Sequence, residues 1–389
     1  MNDYDICIVG GAGHVGLPLG LAFAERQQRV VLYDIDRKAL DTIAAGRLPF
    51  IEYGADEILK AVIDKTLFVS DDAASVGRAR FVIVTIGTPV DEFLSPDLRA
   101  VPKMLAVLRQ HLSPEQTLII RSTVFPGTCR QVQRTLGDQW KIAYCPERIA
   151  QGHAIRELAD LPQIVSGTTD QAREEAAALF ARIAPSIVNC TVEEAELVKL
   201  YSNAWRYIRF AAANQFYMMA HELGVDFDKV WTAMTTGYGR NSDLPRAGFA
   251  AGPCLLKDTM QVFAASQGRF SLGQAAMTVN ESLPAFLVDQ LRARVNFDLA
   301  GTKVGILGMA FKADVDDIRD SLAFKVRKLL EFHGATVVCS DEFAPDPSFV
   351  TKEAVLASCR AVIIGVPHSA YRKLAIPSGV ELIDVWGVC

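Results

Sequence analysis

Apolar residues along this chain fall into two rhythms. Short β-branched and apolar runs, bounded by glycines or polar turns, predict strands at Tyr4–Gly10, Arg29–Tyr33, Leu67–Ser70, Phe81–Ile86, Thr117–Arg121, Lys141–Tyr144, Gln163–Ser166 and Ile187–Cys190. Segments with the spacing of amphipathic helices lie between most of them, and that alternation predicts a doubly wound parallel sheet. The same rhythm returns near the end. Strands are predicted at Gly301–Leu307, Ala335–Ser340, Arg360–Gly365 and Glu381–Val385, with a helix over Ser321–His333.

Between the two lies TVEEAELVKLYSNAWRYIRFAAANQFYMMAHELG, Thr191 to Gly224. Thr191 and Glu194 have capping-box spacing, and Gly224 stands where a left-handed residue ends a helix. Val198, Tyr201, Trp205, Ile208, Ala212, Phe216, Met219 and Leu223 recur every three or four residues, which predicts an apolar stripe along one face. A rod of about thirty residues spans roughly 45–50 Å, enough to join two domains and offer a stripe to a second subunit. Lys199 and Asn203, four apart, share a face. Further helices are predicted over Asp226–Thr235, around Met260–Ser266 and over Gln274–Val295. The expected fold is therefore α/β: two Rossmann-like parallel-sheet domains joined by a long central helix and a small helical domain. The expected boundaries are 1–191, 192–298 and 299–389.

Composition narrows the function. With 389 residues, 50% of them hydrophobic, the chain can fill two or three cores. A net charge of −5 without basic runs argues against a nucleic-acid partner. No apolar stretch reaches the roughly eighteen residues a membrane span needs, and no stretch resembles a signal peptide, so the expectation is a cytoplasmic protein without membrane insertion. The eight cysteines, at 7, 129, 145, 190, 254, 339, 359 and 389, form no CxxC pair and no cysteine–histidine cluster. That pattern fits a reducing compartment and predicts no metal site.

Directly after the first strand comes Gly11-Ala12-Gly13-His14-Val15-Gly16, opening a helix. Its glycines serve a tight turn, close approach of backbone to a pyrophosphate, and helix–strand packing, with phosphate on the helix N-terminus. The second strand ends in Asp34, placed for a ribose diol. That charge favours NAD over NADP, with Arg37 nearby as the counterweight. Thr85–Pro89, Ser122–Thr128 and Pro146–Gly152 follow other strands and are expected to line the cofactor crevice. In the last of these, Glu147 is either a functional acid or a surface acid paired with Arg148. The glycine-punctuated loop Gly237–Pro253 delivers Cys254 to a helix start, where the dipole and Lys257 favour a thiolate; the alternative is a small buried hydrophobe. The turn after Leu307 lacks GxGxxG spacing, so it is expected to take something other than a second dinucleotide. Lys312 and Arg319 there are phosphate ligands or solvated loop charges.

Taken together, GAGHVG, YDID, TIGTP, STVFPGT, PER-x-x-x-G, ELVKLYSNA, GPC-x-x-KD and LGMAFKADVDDIRDS resemble the UDP-glucose/GDP-mannose dehydrogenase family over nearly the whole chain. The resemblance implies NAD-dependent oxidation of a nucleotide sugar at C6, from alcohol through aldehyde to carboxylate, with two NAD per sugar. It implies Cys254 as the nucleophile that forms a thiohemiacetal and then a thioester, Glu147 as the base for hydrolysis, Lys199 and Asn203 as oxyanion stabilisers, and Asp258 as an acid ordering water. Thr123 falls in the nicotinamide-side loop. The implied cofactor residues are Gly11, Ala12, Gly13, His14, Val15, Gly16, Asp34, Thr88, Ser122, Thr123, Gln151, Lys257 and Arg319. The implied substrate residues are Glu147, Arg148, Lys199, Asn203, Arg240, Phe249 and Lys312, with Arg240 reaching a partner subunit. A homodimer or higher homo-oligomer is expected.

Departures bear on the sugar. Ala250 and Ala251 replace glycines of the family's cysteine loop, PERIAQG puts Arg148 and Gln151 where the family has other residues, and IDVWGVC lacks an arginine after its aspartate. The PER form resembles the branch acting on N-acetylhexosamines such as UDP-N-acetylmannosamine, so UDP-glucose and UDP-N-acetylhexosamines both stay open. Two rival readings are a β-hydroxyacid-type dehydrogenase with a single hydride transfer and a non-catalytic nucleotide-binding protein. Cys254 and residues 301–389 count against the first; the thiol, lysine and acid at matching positions count against the second.

Overall fold

The computed structural model describes residues 3–91, 96–295 and 298–389. They form two compact units, Met1–Tyr201 and Ser202–Cys389. The first contains β1 (Tyr4–Val9), α1 (Gly16–Glu25), β2 (Val30–Tyr33), α2 (Arg37–Ala44), α3 (Ala55–Val62), β3 (Leu67–Ser70), β4 (Ala79–Val84), α4 (Ala100–Leu108), β5 (Thr117–Ile120), α5 (Thr128–Leu136), β6 (Lys141–Tyr144), α6 (Ala154–Asp160), β7 (Gln163–Gly167), α7 (Asp170–Phe180), β8 (Ile187–Asn189) and the first turns of α8 (Val192–Glu222). The second holds the rest of α8, then α9 (Phe227–Thr235), α10 (Leu255–Ala265), α11 (Ser271–Arg294), β9 (Lys303–Leu307), α12 (Ala323–Phe332), β10 (Thr336–Ser340), α13 (Lys352–Ser358), β11 (Ala361–Ile364) and β12 (Glu381–Ile383).

The first unit's sheet has the order β3-β2-β1-β4-β5-β6-β7-β8. Its strands are apolar on both faces because helices cover both. Along β1, Ile6 and Ile8 enter the core under α1, α3 and α7, while Cys7 and Val9 enter the core under α4 and α5. The order reverses between β1 and β4, and the carboxyl ends on either side of such a reversal are where α/β sheets bind ligands. One expectation fails: β7 runs antiparallel to β6, pairing Tyr144 with Ser166 and Ala143 with Gly167. Parallel pairing needs a full crossover. The seven-residue α6 leaves the chain beside the carboxyl end of β6, from which β7 runs back.

The second unit's sheet is parallel, with order β10-β9-β11-β12. Val304 and Ile306 face α11 and α12; Leu307 packs with Val355 of α13.

Helix α8 forms as its ends predict. Thr191 N–H donates to Glu194 (2.8 Å) and Glu194 N–H donates back to the Thr191 hydroxyl (3.2 Å). At the other end Gly224 takes φ +68° and Val225 N–H reaches the Ala220 carbonyl (2.8 Å). Its stripe is not where burial lies. Tyr201 (54%), Trp205 (55%), Phe216, Met219 and Leu223 (76%) are exposed, and the buried line is Ala195, Leu200, Asn203, Ala204, Tyr207, Ala211 and Asn214. Periodicity marks two faces here, and the small or polar one packs on the chain itself. No helix among the described residues is long and apolar enough to cross a membrane.

Candidate active site

The turn after β1 is built for close approach. A Cβ on Gly11 would meet Leu32, and one on Gly16 would strike the Gly10 carbonyl, whereas one on Gly13 would find only the Gly10 carbonyl at 3.5 Å. Helix α1 begins after Val15 with no side-chain cap and no acid in its first turn, which suits a phosphate there. Asp34 accepts from Ala12 N–H (2.9 Å) and Asp36 N–H (3.0 Å), so the acid that would hold a ribose also braces the turn. Arg37 is paired with Asp71, and this hydrogen bond holds its guanidinium above its ordinary value. That partnership removes the counterweight that could have favoured NADP. These residues fit a bound NAD.

The neighbouring loops are tied to each other. The Thr88 hydroxyl donates to the Thr123 carbonyl and Ser122 to that of Ile86 (2.7 Å), cross-linking the ends of β4 and β5. His14 packs on Phe50 at 3.9 Å between ring centroids and lies 3.5 Å from Gln151 across their Nε2 atoms. The glycine turn and the PER loop thus meet. Glu52, buried, accepts from Gly152 N–H (3.1 Å) and Ala154 N–H (2.7 Å) and anchors that loop's far end.

Glu147 is buried, which overturns its alternative as a surface acid paired with the Arg148 side chain. Its partner is Arg121, fully buried at the end of β5, whose Nε (2.7 Å) and Nη2 both donate to Oε2. The other oxygen accepts from Arg148 N–H (2.6 Å) and Ile149 N–H (2.9 Å). The Arg148 guanidinium turns away to the Pro162 carbonyl. Lys199 stands half-buried on α8, one turn before Asn203.

In the second unit, Cys254 stands at the N-terminal end of α10 and is exposed. Burial raises the other thiols: Cys7 and Cys145 to about 12, Cys339 to about 11, and Cys389, also beside Asp384, to about 11. One turn into α10, buried Asp258 accepts from Asn203 Nδ2 (2.6 Å) through Oδ2 and pairs through Oδ1 with Lys257 (3.1 Å). Arg319 is held above its ordinary value first by its hydrogen bonds to Asp317, and more weakly by the charges of Asp317 and Cys254. Asn203, Cys254, Lys257, Asp258 and Arg319 thus belong to one neighbourhood.

The cysteine loop is rigid for identifiable reasons. Asn214 donates to the Gly248 carbonyl (3.0 Å) and accepts its N–H (2.8 Å), and Asn280 links Asn214 to the Tyr207 carbonyl. Trp386 covers Gly248, where any Cβ would collide with its ring, and meets Phe249 edge-on. The Phe249 ring is therefore spent on the core. Gly252 N–H donates to the Asp320 carbonyl (3.1 Å) and Phe311 packs over Gly252, so the segment carrying Lys312 and Arg319 clasps the loop. Arg240 sits exposed over the Tyr238 ring.

The turn after β9 lacks the GxGxxG spacing of the turn after β1. Asp341, following β10, braces it as Asp34 braces the first turn: Oδ2 accepts from Met309 N–H (2.6 Å) and Ala310 N–H (2.9 Å), and Oδ1 from Phe343 and Ala344. Buried His368 touches the same carboxylate at 3.1 Å.

Sequence reasoning missed Arg121 and Glu52. Arg121 stood there only as the last residue of the predicted strand Thr117–Arg121.

The chain resembles known proteins along most of its length. The NAD binding domain of the UDP-glucose/GDP-mannose dehydrogenase family matches residues 4–184, its central domain 193–282 and its UDP binding domain 305–388. The UDP-glucose 6-dehydrogenase of Bacillus subtilis is 30% identical over 367 residues, 89% of this chain and 78% of that one. The chain belongs to the UDP-glucose/GDP-mannose dehydrogenase family. A UDP-N-acetyl-D-mannosamine dehydrogenase of Pyrococcus horikoshii is 27% identical over 94% of this chain and 90% of its own. The solved structure of a UDP-N-acetylmannosamine dehydrogenase from the same organism superposes with a TM-score of 0.92 at 26% identity, covering 99% of this chain and 96% of the other. Membership in this family makes the chain an NAD-dependent nucleotide-sugar dehydrogenase.

Proposed function

We propose that the chain oxidises C6 of a UDP-hexose or UDP-N-acetylhexosamine to the carboxylate, by way of a thioester on Cys254. The observation that carries this reading is an exposed thiol at the start of α10, one turn from a buried carboxylate held by Asn203 and Lys257. Thioester chemistry needs a thiolate, a cation beside the developing oxyanion, and a base. NAD, when bound by Gly11–Gly16 and Asp34, accepts hydride in each of two oxidations. Cys254 Sγ attacks the aldehyde carbon; Lys199 and Asn203 stabilise the oxygen; Asp258 orients Asn203 and water. Glu147 takes the proton of the water that hydrolyses the thioester. Lys312 and Arg319 hold substrate and cofactor, and the working division is 1–191 for NAD, 192–298 for the centre and 299–389 for UDP.

Relatives named for mannosamine and for glucose substrates leave two sugar classes, and the PERIAQG loop supports the N-acetylhexosamine. The exposed stripe of Tyr201, Trp205, Phe216, Met219 and Leu223 supports a homodimer formed along α8. A cytoplasmic setting accords with cysteines that form no disulfide. The deciding experiment counts NADH per sugar across UDP-glucose, UDP-N-acetylglucosamine, UDP-N-acetylmannosamine and GDP-mannose. Two NADH with one of the UDP-sugars is expected. One NADH would end the thioester scheme and favour a single-hydride reaction.

A further inference from the structure

We infer that Arg121 is the positioning residue for Glu147: it fixes one carboxylate oxygen and so designates the other, Oε1, as the proton acceptor. The inference rests on the role proposed above for Glu147. The two oxygens are held in different ways. Oε2 is gripped by Nε and Nη2 of a guanidinium that is itself immobile, since Nη1 donates to the Cys145 carbonyl (3.1 Å) and Gln163 Oε1 (2.9 Å) and Cζ lies 4.9 Å from the Phe180 ring centre. Among the described residues Oε1 accepts from the N–H groups of Arg148 and Ile149, which belong to the PER loop. A carboxylate accepting four hydrogen bonds must give one up to take a proton. The pair to Arg121 cannot yield without unseating a buried cation, whereas a small turn of the loop frees Oε1.

Folding alone does not explain such an arginine. An apolar pair of equal volume commonly serves a core as well as a buried ion pair does. Arg121 is fully buried, yet its one anionic partner opens the loop that follows β6. In the step this geometry serves, a water O–H bond breaks and its proton passes to Oε1. The water oxygen bonds to the thioester carbon, and the C–S bond then breaks with the Cys254 thiolate leaving. No electrons are exchanged.

The test uses the full chain with whichever of UDP-glucose or UDP-N-acetylmannosamine the wild type oxidises, and compares Arg121→Gln, Arg121→Lys and Glu147→Gln. Arg121→Gln is expected to slow steady-state acid formation about a hundredfold, within the range of a lost general base. It should still release a burst of two NADH per chain and accumulate acylated Cys254, visible as added mass that hydroxylamine removes. Arg121→Lys, which keeps the charge, should recover part of the rate and shorten the acylated lifetime. Loss of burst and turnover together in both arginine variants would mean a structural role only; turnover within about threefold of wild type in both would likewise overturn the inference. Glu147→Gln separates the two ideas: if it turns over normally, the base reading itself fails, whatever Arg121 does.

Discussion

Asn203 on α8 donates to Asp258 on α10 at 2.6 Å, deep in the second unit, and Lys257 neutralises the carboxylate's other oxygen at 3.1 Å. The amide and acid hold each other in one orientation. Asn203→Ala strands a buried carboxylate oxygen, which costs on the order of 1–3 kcal/mol and should appear in urea denaturation. The exchanged pair Asn203→Asp with Asp258→Asn should regain much of that stability but little activity, because the acid then lies on the wrong helix. Equal recovery of both would mean the pair only supports the fold.

Cys254→Ala should abolish acid formation while leaving NAD affinity within about twofold, because the thiol acts on the sugar and not on the dinucleotide turn. NADH production read beside NAD titration separates these effects. A fully active variant would remove the thioester from the reaction.

Asp34→Ala removes both a diol acceptor and the brace on Ala12 N–H. The expected loss is roughly tenfold to a hundredfold in KM for NAD, the worth of a hydrogen bond to a charged group, with a fall in melting temperature. NADP should gain only modestly, since Arg37 stays with Asp71.

Acid stability should report on Asp341. Burial raises its pKa, but hydrogen bonding and charge from His368 and the N–H groups of Ala344 and Phe343 outweigh it, and the group settles at about 2 against an ordinary 3.8. A depressed carboxylate contributes stability above its unfolded value and loses it as pH falls through the folded one. About 2 kcal/mol should therefore vanish between roughly pH 4 and pH 2. Chemical denaturation across that window should show the slope in wild type and a flatter one in Asp341→Asn.

Trp205→Glu and Phe216→Glu place charges on the exposed face of α8 without touching the buried line through Leu200, Tyr207 and Ala211. Sedimentation should show a dimer in wild type and monomer in the double variant, with far-ultraviolet circular dichroism unchanged. A wild-type monomer at micromolar concentration would refute the dimer.

What the sequence disclosed divides by range. The glycine turn with Asp34, the capping box of Thr191 and Glu194, and the end at Gly224 are local devices, complete within a few residues, and each formed as spelled. The stripe on α8 was legible as a periodicity but not as a direction, since both faces repeat at the same interval and only tertiary packing tells Leu200 from Tyr201. Arg121 stayed hidden because its meaning depends on an acid 26 residues later and a glutamine 42 residues later. The reversal of β7 depended on a helix too short to cross the sheet. Chemistry carried by motifs was visible early; the second residue of each long-range pair was not.

The carboxylate of Asp341 has one more implication. It braces the turn after β9 as Asp34 braces the turn after β1, yet of these two turns the first alone carries GxGxxG spacing. With that one glycine turn as the dinucleotide berth, the two-step reading calls for two oxidations per sugar from a single site. The half-oxidised sugar must then outlast a change of occupant in that berth. On this view the bond to Cys254 is also a mooring, keeping a reactive aldehyde from drifting into solvent between the first oxidation and the second.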